Sequence, residues 1–315
     1  MNRYITIDGG TTNTRISLVE DGRITETVKL SLGAQKSIGS TDALKDGIRA
    51  AITSLLQTNH LTESDIQRIL ASGMITSEFG LYCLPHLVAP VGIWELHEGM
   101  KEVSLTEISQ IPFVFLPGVR TNSESLEERD MMRGEETELI GLADNTDTPV
   151  SDCLYVLPGS HSKLIETDAE GRITRFRTML TGEMIAALSG HTILKDAVDL
   201  SCTETDETYL AQGFDYACKR GINEALFKTR ILKNQFGASP TEVYSFFLGA
   251  VLADELTAIT ESSVSTVVLG GKPQLRDAMA SLLRKRTEKA VLTVSDEAVA
   301  LSTSRGMIRI FEYRK

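Results

Sequence analysis

The chain is predicted to be an α/β protein with mixed sheets, built by duplication. Three observations carry this: strand patterns alternate with helical ones, a hairpin pattern near the start recurs half-way along, and glycine turns follow strands directly. Tyr4 to Thr25 reads YITIDGGTTNTRISLVEDGRIT, and Leu154 to Thr174 reads LYVLPGSHSKLIETDAEGRIT. Both run apolar strand, glycine turn with hydroxyl residues, second strand, then Gly-Arg-Ile-Thr. A length of 315 residues suits two domains at roughly 150 each. Ala143 to Asp152 is polar and turn-rich and is the expected linker, which gives domains 1–147 and 148–315.

In the first half, Arg3 to Ile7 and Thr14 to Val19 are strands around the turn Asp8 to Asn13, and Ile24 to Leu30 is a third. Asp42 to Thr58 places Leu44, Ile48, Ile52 and Leu55 at helical spacing. Ile66 to Ala71 is a strand, and the loop-rich Ser72 to Pro90 after it is a site candidate. In the second half a helix starts at Glu183 after the cap Thr181, and Thr205 to Phe227 and Thr241 to Ile259 are long helices. The β-branched strand Val264 to Leu269 runs into a third glycine turn. A helix at Gln274 to Arg286, a strand at Val291 to Val294 and a helix from Glu297 to Phe311 complete the chain.

Thirty-two basic against 43 acidic residues leave a net charge of -11, so the general field repels nucleic acid and anionic lipid, and neither is an expected partner. Any anionic ligand must be held by local groups. Cys83, Cys153, Cys202 and Cys218 form no CxxC pair and read as buried, reduced thiols. No apolar stretch near 18 residues is expected, so a membrane span and a signal peptide are not predicted and the chain reads as cytoplasmic. His60, His86, His97 and His191 lack ligand spacing with the cysteines, and no structural zinc is expected.

Asp8-Gly9-Gly10-Thr11-Thr12-Asn13 sets a carboxylate at a strand end before two glycines and three hydroxyl or amide side chains. Such a turn can present backbone N–H groups to a phosphate while the carboxylate holds hydrated Mg2+. Neither a GxGxxG nor a Walker A pattern is present. The matching turn of the second half carries Gly159, Ser160, His161, Ser162 and Lys163, and the third carries Gly270, Gly271, Lys272 and Gln274. Glu135 and Glu136 open an apolar helix after Arg133-Gly134. Acidic residues there favour the helix dipole, or one of them accepts an alcohol proton, with Glu135 the first choice and Glu136 the second. Arg15, Arg133 and Lys163 are the local cations. Arg133 is assigned to a substrate carboxylate because its planar fork can make two parallel hydrogen bonds, the alternative being a pair with Glu136 or Glu138.

Taken together, the turns near 10, 160 and 270 resemble the phosphate-1, phosphate-2 and adenosine elements of the actin-like ATPase and sugar kinase superfamily. DGGTTNTR, SGMITSEFGL with PHLVAPVG, MRGEETELIGL, LPGSHSKLI, FRTMLTGEM and HTIL resemble the 2-dehydro-3-deoxygalactonokinase family from Asp8 to Leu194, with the third turn extending the match to Gln274. The resemblance implies two ribonuclease H-like domains with a central cleft. ATP and Mg2+ are then the cofactors: Asp8 organises the metal, and the three turns, from Gly9 to Asn13, Gly159 to Lys163 and Gly270 to Gln274, bind nucleotide. Met74, Ile75, Thr76 and Ser77, with Arg15 and Arg133, face the sugar. The implied reaction phosphorylates the 6-hydroxyl of 2-dehydro-3-deoxy-D-galactonate in galactonate catabolism; the oligomeric state is left open, a homodimer being one assembly considered. One departure is Gly9, where many family members are expected to carry tryptophan. The rival readings are a kinase for another acid sugar and a non-catalytic nucleotide or sugar sensor.

Overall fold

The computed structural model describes residues 2–33, 41–144 and 148–314, and the chain divides into two compact units. The first holds Met1–Ser151, Asp168–Phe176 and Glu297–Lys315; the second holds Asp152–Thr167 and Arg177–Asp296. The units therefore part at Ser151, four residues beyond the expected boundary, and the last helix returns to the first unit. Part of the expected linker, 145–147, lies outside the described residues.

The first unit opens with β1 (Arg3–Gly9), β2 (Thr14–Glu20) and β3 (Arg23–Leu30), then α1 (Asp42–Thr58) and β4 (Arg68–Gly73). There follow β5 (Leu87–Val88), α2 (Ile93–Glu98), β6 (Lys101–Val103), β7 (Phe113–Phe115), β8 (Val119–Arg120), β9 (Met131–Met132) and α3 (Glu135–Ala143). The main sheet has the order β3-β2-β1-β4-β7-β6. β1 pairs antiparallel with β2, setting Asp8 opposite Arg15, and parallel with β4, setting Asp8 beside Ser72 and Gly9 beside Gly73. Alternation along β1 sends Ile5 and Ile7 into a core with Leu44, Ile48, Ile52 and Leu55 of α1. The other face receives the last helix: Thr6 Oγ1 meets Ser304 Oγ at 2.8 Å, and the Tyr4 hydroxyl donates to Glu312. A small second sheet, β5-β8-β9, stands apart from the main one.

The second unit contains β10 (Cys153–Leu157), β11 (Ser162–Thr167), α4 (Thr181–His191), α5 (Glu207–Arg220), α6 (Ile222–Phe236) and α7 (Pro240–Glu261), and β12 (Ile173–Met179) enters it after Phe176. Then come β13 (Thr266–Leu269), α8 (Pro273–Arg284) and β14 (Ala290–Thr293), and the chain ends with α9 (Asp296–Phe311). Its sheet order, β12-β11-β10-β13-β14, repeats β3-β2-β1-β4-β7 position for position, with the same antiparallel hairpin and parallel neighbour beside the first strand. This mixed α/β fold of duplicated sheets is the class predicted from the hairpin repeat.

Three expectations are corrected. The helix read across Thr205 to Phe227 is broken at Gly221, whose φ of 86° ends α5, and α6 continues to Phe236. Cys83, in the loop before β5, and Cys218, on α5, are exposed rather than buried; Cys202 is partly buried and Cys153 is buried. α7 is long and apolar enough to cross a membrane by length and composition alone. It is buried around nearly its whole circumference as the central helix of the second core, which explains its composition.

Candidate active site

Three glycines bring the carboxyl ends of β1 and β4 against the start of α3. A Cβ on Gly73 would collide with the Gly9 carbonyl oxygen, and one on Gly134 would lie 3.2 Å from the Gly73 Cα. Gly73 and Gly134 have φ of 85° and 114°, where a side chain would also be strained. A Cβ on Gly9 would lie 2.7 Å from the Ile75 Cβ and 2.9 Å from its backbone nitrogen. The turn at 74–76 thus occupies the space a tryptophan would need, which accounts for glycine at position 9. Ser72 and Thr137 share a hydroxyl hydrogen bond of 2.8 Å and fasten β4 to α3. Carboxyl ends of parallel strands are where open α/β sheets bind ligands.

Acidic groups gather at this junction. Asp8 accepts from Arg15 Nε at 3.0 Å and Nη2 at 2.5 Å, both on Oδ2, and its side chain keeps access to solvent. Glu135 is half-buried and its Oε2 accepts the Arg133 backbone N–H at 3.0 Å. Glu136 is fully buried; the Gly134 N–H reaches its two oxygens at 2.8 and 2.9 Å, and burial with the neighbouring Glu135 charge pushes it up to about 7. Glu138 lies one turn on. Desolvation, Glu135 and Asp8 push it up to about 8 while Arg15 opposes them. From sequence, Glu138 stands out only as a surface partner for Arg133; its position three residues after Glu135, on the same helix face, is the signal that marks it.

Arg133 does not pair with Glu136 or Glu138 and does not present a free fork. Its Nη1 donates to the Thr76 carbonyl at 2.8 Å and to Thr76 Oγ1 at 2.7 Å, and its Nη2 donates to the Leu84 carbonyl at 2.9 Å. The fourth contact is His86 Nδ1 at 3.2 Å. Burial and the charges of Arg133 and Arg120 bring His86 down to about 4, so the ring is neutral and Nδ1 accepts. Arg133 therefore braces the 74–86 segment. Within that segment Ile75 and Thr76 are buried, Ser77 nearly so, and Met74 is partly open.

The first turn closes with the Gly10 N–H donating to the Asn13 carbonyl at 2.8 Å, leaving Thr11, Thr12 and Asn13 exposed. The second turn, in the other unit, is shaped by α4. Thr181 does not cap that helix, whose first residue it is. Instead, the Gly182 and Glu183 N–H groups donate to the Gly159 and Ser160 carbonyls at 3.1 and 3.2 Å. A trans peptide sets its N–H opposite its carbonyl, so the Ser160 and His161 N–H groups turn away from α4, and among the described residues neither has an acceptor. His161 Nε2 meets Glu183 Oε1 at 3.0 Å, and Lys163 is buried with Nζ donating to Thr178 at 2.5 Å. The third turn packs on the second: a Cβ on Gly271, φ 73°, would lie 2.5 Å from the Pro158 carbonyl oxygen. The Gly270 N–H donates to the Val156 carbonyl, Gln274 Nε2 reaches the Cys202 carbonyl at 3.5 Å, and Lys272 is exposed.

Beneath the second turn lies Glu255 of α7, which the sequence pattern did not single out. It is buried, accepts from Thr181 Oγ1 at 2.5 Å, and its Oε1 has no partner. Burial pushes it up to about 7. A carboxylate inside an apolar helical run is the signal that could have found it.

Residues 8–310 match the family model described as 2-keto-3-deoxy-galactonokinase. The chain is 29% identical over 255 residues to the 2-dehydro-3-deoxygalactonokinase of Escherichia coli strain K12, covering 79% of this chain and 77% of that one. A solved structure from Sinorhizobium meliloti, provisionally named a 2-dehydro-3-deoxygalactonokinase protein, superposes with a TM-score of 0.76 at 21% identity over 98% of this chain and 100% of that one. The activator of 2-hydroxyisocaproyl-CoA dehydratase from Clostridium difficile, solved with ADPNP bound, shares the fold with a TM-score of 0.53 at 11% identity, covering 98% of this chain and 94% of that one. Since the family model spans the glycine junction, the acidic helix start and all three turns, the chain belongs to the 2-keto-3-deoxy-galactonokinase family.

Proposed function

We propose that the protein transfers the γ-phosphoryl group of ATP to the 6-hydroxyl of 2-dehydro-3-deoxy-D-galactonate, giving the 6-phosphate and ADP. The observation that carries the chemistry is the Gly9–Gly73–Gly134 junction, which brings the strand end that follows Asp8 against the helix start that carries Glu135, with Glu138 close to both carboxylates. Glu135 accepts the proton of the 6-hydroxyl as its oxygen attacks the γ-phosphorus, and ADP leaves with the electrons of the broken P–O bond. Glu136 is closed to solvent and holds the Gly134 backbone instead.

The donor set of the first turn fits Mg2+. Asp8 Oδ1 is not engaged by Arg15, the hydroxyls of Thr11 and Thr12 are exposed beside it, and hard oxygens with few protein ligands suit that ion. Among the described residues no three His, Cys, Asp or Glu side chains form a cage, consistent with an ion held largely by water and phosphate. When bound, Mg2+ neutralises charge on the transferring phosphoryl group. In the second unit, the N–H groups of Ser160 and His161, which have no acceptor among the described residues, supply a donor pair for nucleotide phosphate, and Gly270, Gly271, Lys272 and Gln274 of the adjoining turn extend it. Lys163 adds positive charge from behind the turn.

The test is a coupled ADP-release assay across a panel of 2-keto-3-deoxy acids and neutral hexoses, with phosphorus NMR of the product. Phosphorylation at C6 of an acid, with neutral hexoses unused, is expected. ATP consumption indifferent to the acid, or a product phosphorylated elsewhere, would overturn the reading.

A further inference from the structure

The small sheet β5-β8-β9 presents one closed face and one open face. Register sets Leu87, Val119 and Met132 on one side and Val88, Arg120 and Met131 on the other. Val119 and Met132 are buried at 0% and 2% exposure, whereas Val88 and Met131 are 44% and 63% exposed and Arg120 is exposed. Alternation carries His86, Gly118 and Arg133 onto the same open face. Contacts agree with that placement, since a Cβ on Gly118 would lie 2.9 Å from the His86 ring and 3.2 Å from the Arg133 Cβ. The glycine leaves a shallow floor between the two side chains.

Both terminal nitrogens of Arg133 are engaged by Thr76, Leu84 and His86. Arg120 differs: among the described residues its guanidinium has no hydrogen-bond or ion-pair partner, although it lies close enough to His86 for its charge to be felt there. Because His86 accepts on Nδ1, its ring proton is on Nε2, a second donor on this face. The reading proposed above also sets a spacing requirement. A six-carbon acid phosphorylated at C6 carries its carboxylate at the far end, so the anion-binding group must stand away from Glu135. Gly118 is level with Arg133, and Arg120 lies two residues further along β8, about 7 Å at the strand rise.

We propose that Arg120 is the specificity-determining residue that binds the substrate carboxylate, on a sheet face that Arg133 and His86 hold in shape. The assignment rests on the acid-sugar kinase reading and moves the carboxylate contact from Arg133 to Arg120. A planar guanidinium with an unoccupied edge can take both carboxylate oxygens at once.

The experiment compares wild type, Arg120→Met and Arg120→Lys on 2-keto-3-deoxygalactonate and on its C1 amide. Wild type is expected to prefer the acid strongly. Arg120→Met should raise KM for the acid roughly tenfold to a hundredfold, the loss of one charged hydrogen-bonding pair, and use acid and amide about equally. Its KM for ATP and its melting temperature should be unchanged, because the side chain is exposed. Arg120→Lys should restore part of the preference without the two-point contact. If wild type phosphorylates no acid in the panel, both the kinase reading and this assignment fall. If wild type does so and Arg120→Met keeps the acid-over-amide preference, the assignment alone falls; should Arg120→Met not fold, an unchanged preference in Arg120→Lys and Arg120→Gln overturns the assignment equally.

Discussion

Adjacent glutamates at the start of α3 have opposite surroundings, and the proposed roles rest on that difference. Glu135 is half-buried with its charge felt by Glu138, while Glu136 has no exposure and grips the Gly134 N–H. Glu135→Gln is therefore expected to lower kcat by roughly 10²–10⁴-fold with little change in the KM for ATP. Glu136→Gln should keep most of the turnover and instead alter the melting temperature; turnover loss in the second variant alone would exchange the roles. Asp8→Asn keeps the shape that Arg15 packs on and removes the charge proposed to face Mg2+. Its turnover should drop severely even at saturating ATP, with the Mg2+ concentration for half-activity displaced upward, and an unaltered metal titration would remove Asp8 from the metal. The carboxylate before a glycine-hydroxyl turn was visible in the sequence at this scale, although an ordinary hairpin turn can carry the same residues. The partners of Arg133 were not: Thr76, Leu84 and His86 lie 47 to 57 residues away in sequence, and only the fold brings them to the guanidinium.

Helices and strands with strong periodicity could be read directly, as α1 shows with its ends at Asp42 and Thr58. Periodicity fails where an element is held by distant partners. The two-residue strands of β5, β8 and β9 are too short to alternate visibly, and the face that bears Arg120 was hidden with them. Periodicity also misses close crossings of helices through small residues. In the first unit α3 and α9 approach at Gly141 and Gly306, where a Cβ would collide with the Ser302 and Thr137 carbonyls respectively. In the second, α5 and α7 approach at Gly213 and Gly249, where it would collide with the Phe246 and Leu210 carbonyls. Backbone has no flexible end to swing aside. Gly249→Ala is thus expected to destabilise by about 1–3 kcal/mol or more through overpacking. Gly190→Ala on α4, where a Cβ meets nothing within 4 Å, should be neutral or slightly stabilising by reducing the freedom of the unfolded chain. Thermal melts of the two variants check the contrast, and equal melting temperatures would contradict the close crossing.

Across the whole molecule, the charge of -11 and two fully enclosed carboxyls act in the same direction on stability. Glu136 in the first unit and Glu255 in the second are pushed from 4.5 up to about 7 by burial, the former with help from Glu135. Between those values the folded chain holds protons that the unfolded chain releases, so each carboxyl contributes stability that is fully present below about 4.5 and lost as pH rises through about 7. Rising pH also deepens the net negative charge and its self-repulsion. At the acid end, exposed carboxylates held low by hydrogen bonds, Asp65 and Asp199 among them, lose their smaller contribution as they protonate. The melting temperature should therefore peak in mild acid and fall between about pH 5.5 and 8. Glu255→Gln imitates the protonated form: its amide oxygen still accepts from Thr181, and the side chain no longer carries a charge into the core. That variant should match wild type near pH 5.5, exceed it at pH 8 and show a shallower decline between them. A wild-type melting temperature that is level or rises across this range would mean that neither carboxyl is held protonated in the folded chain.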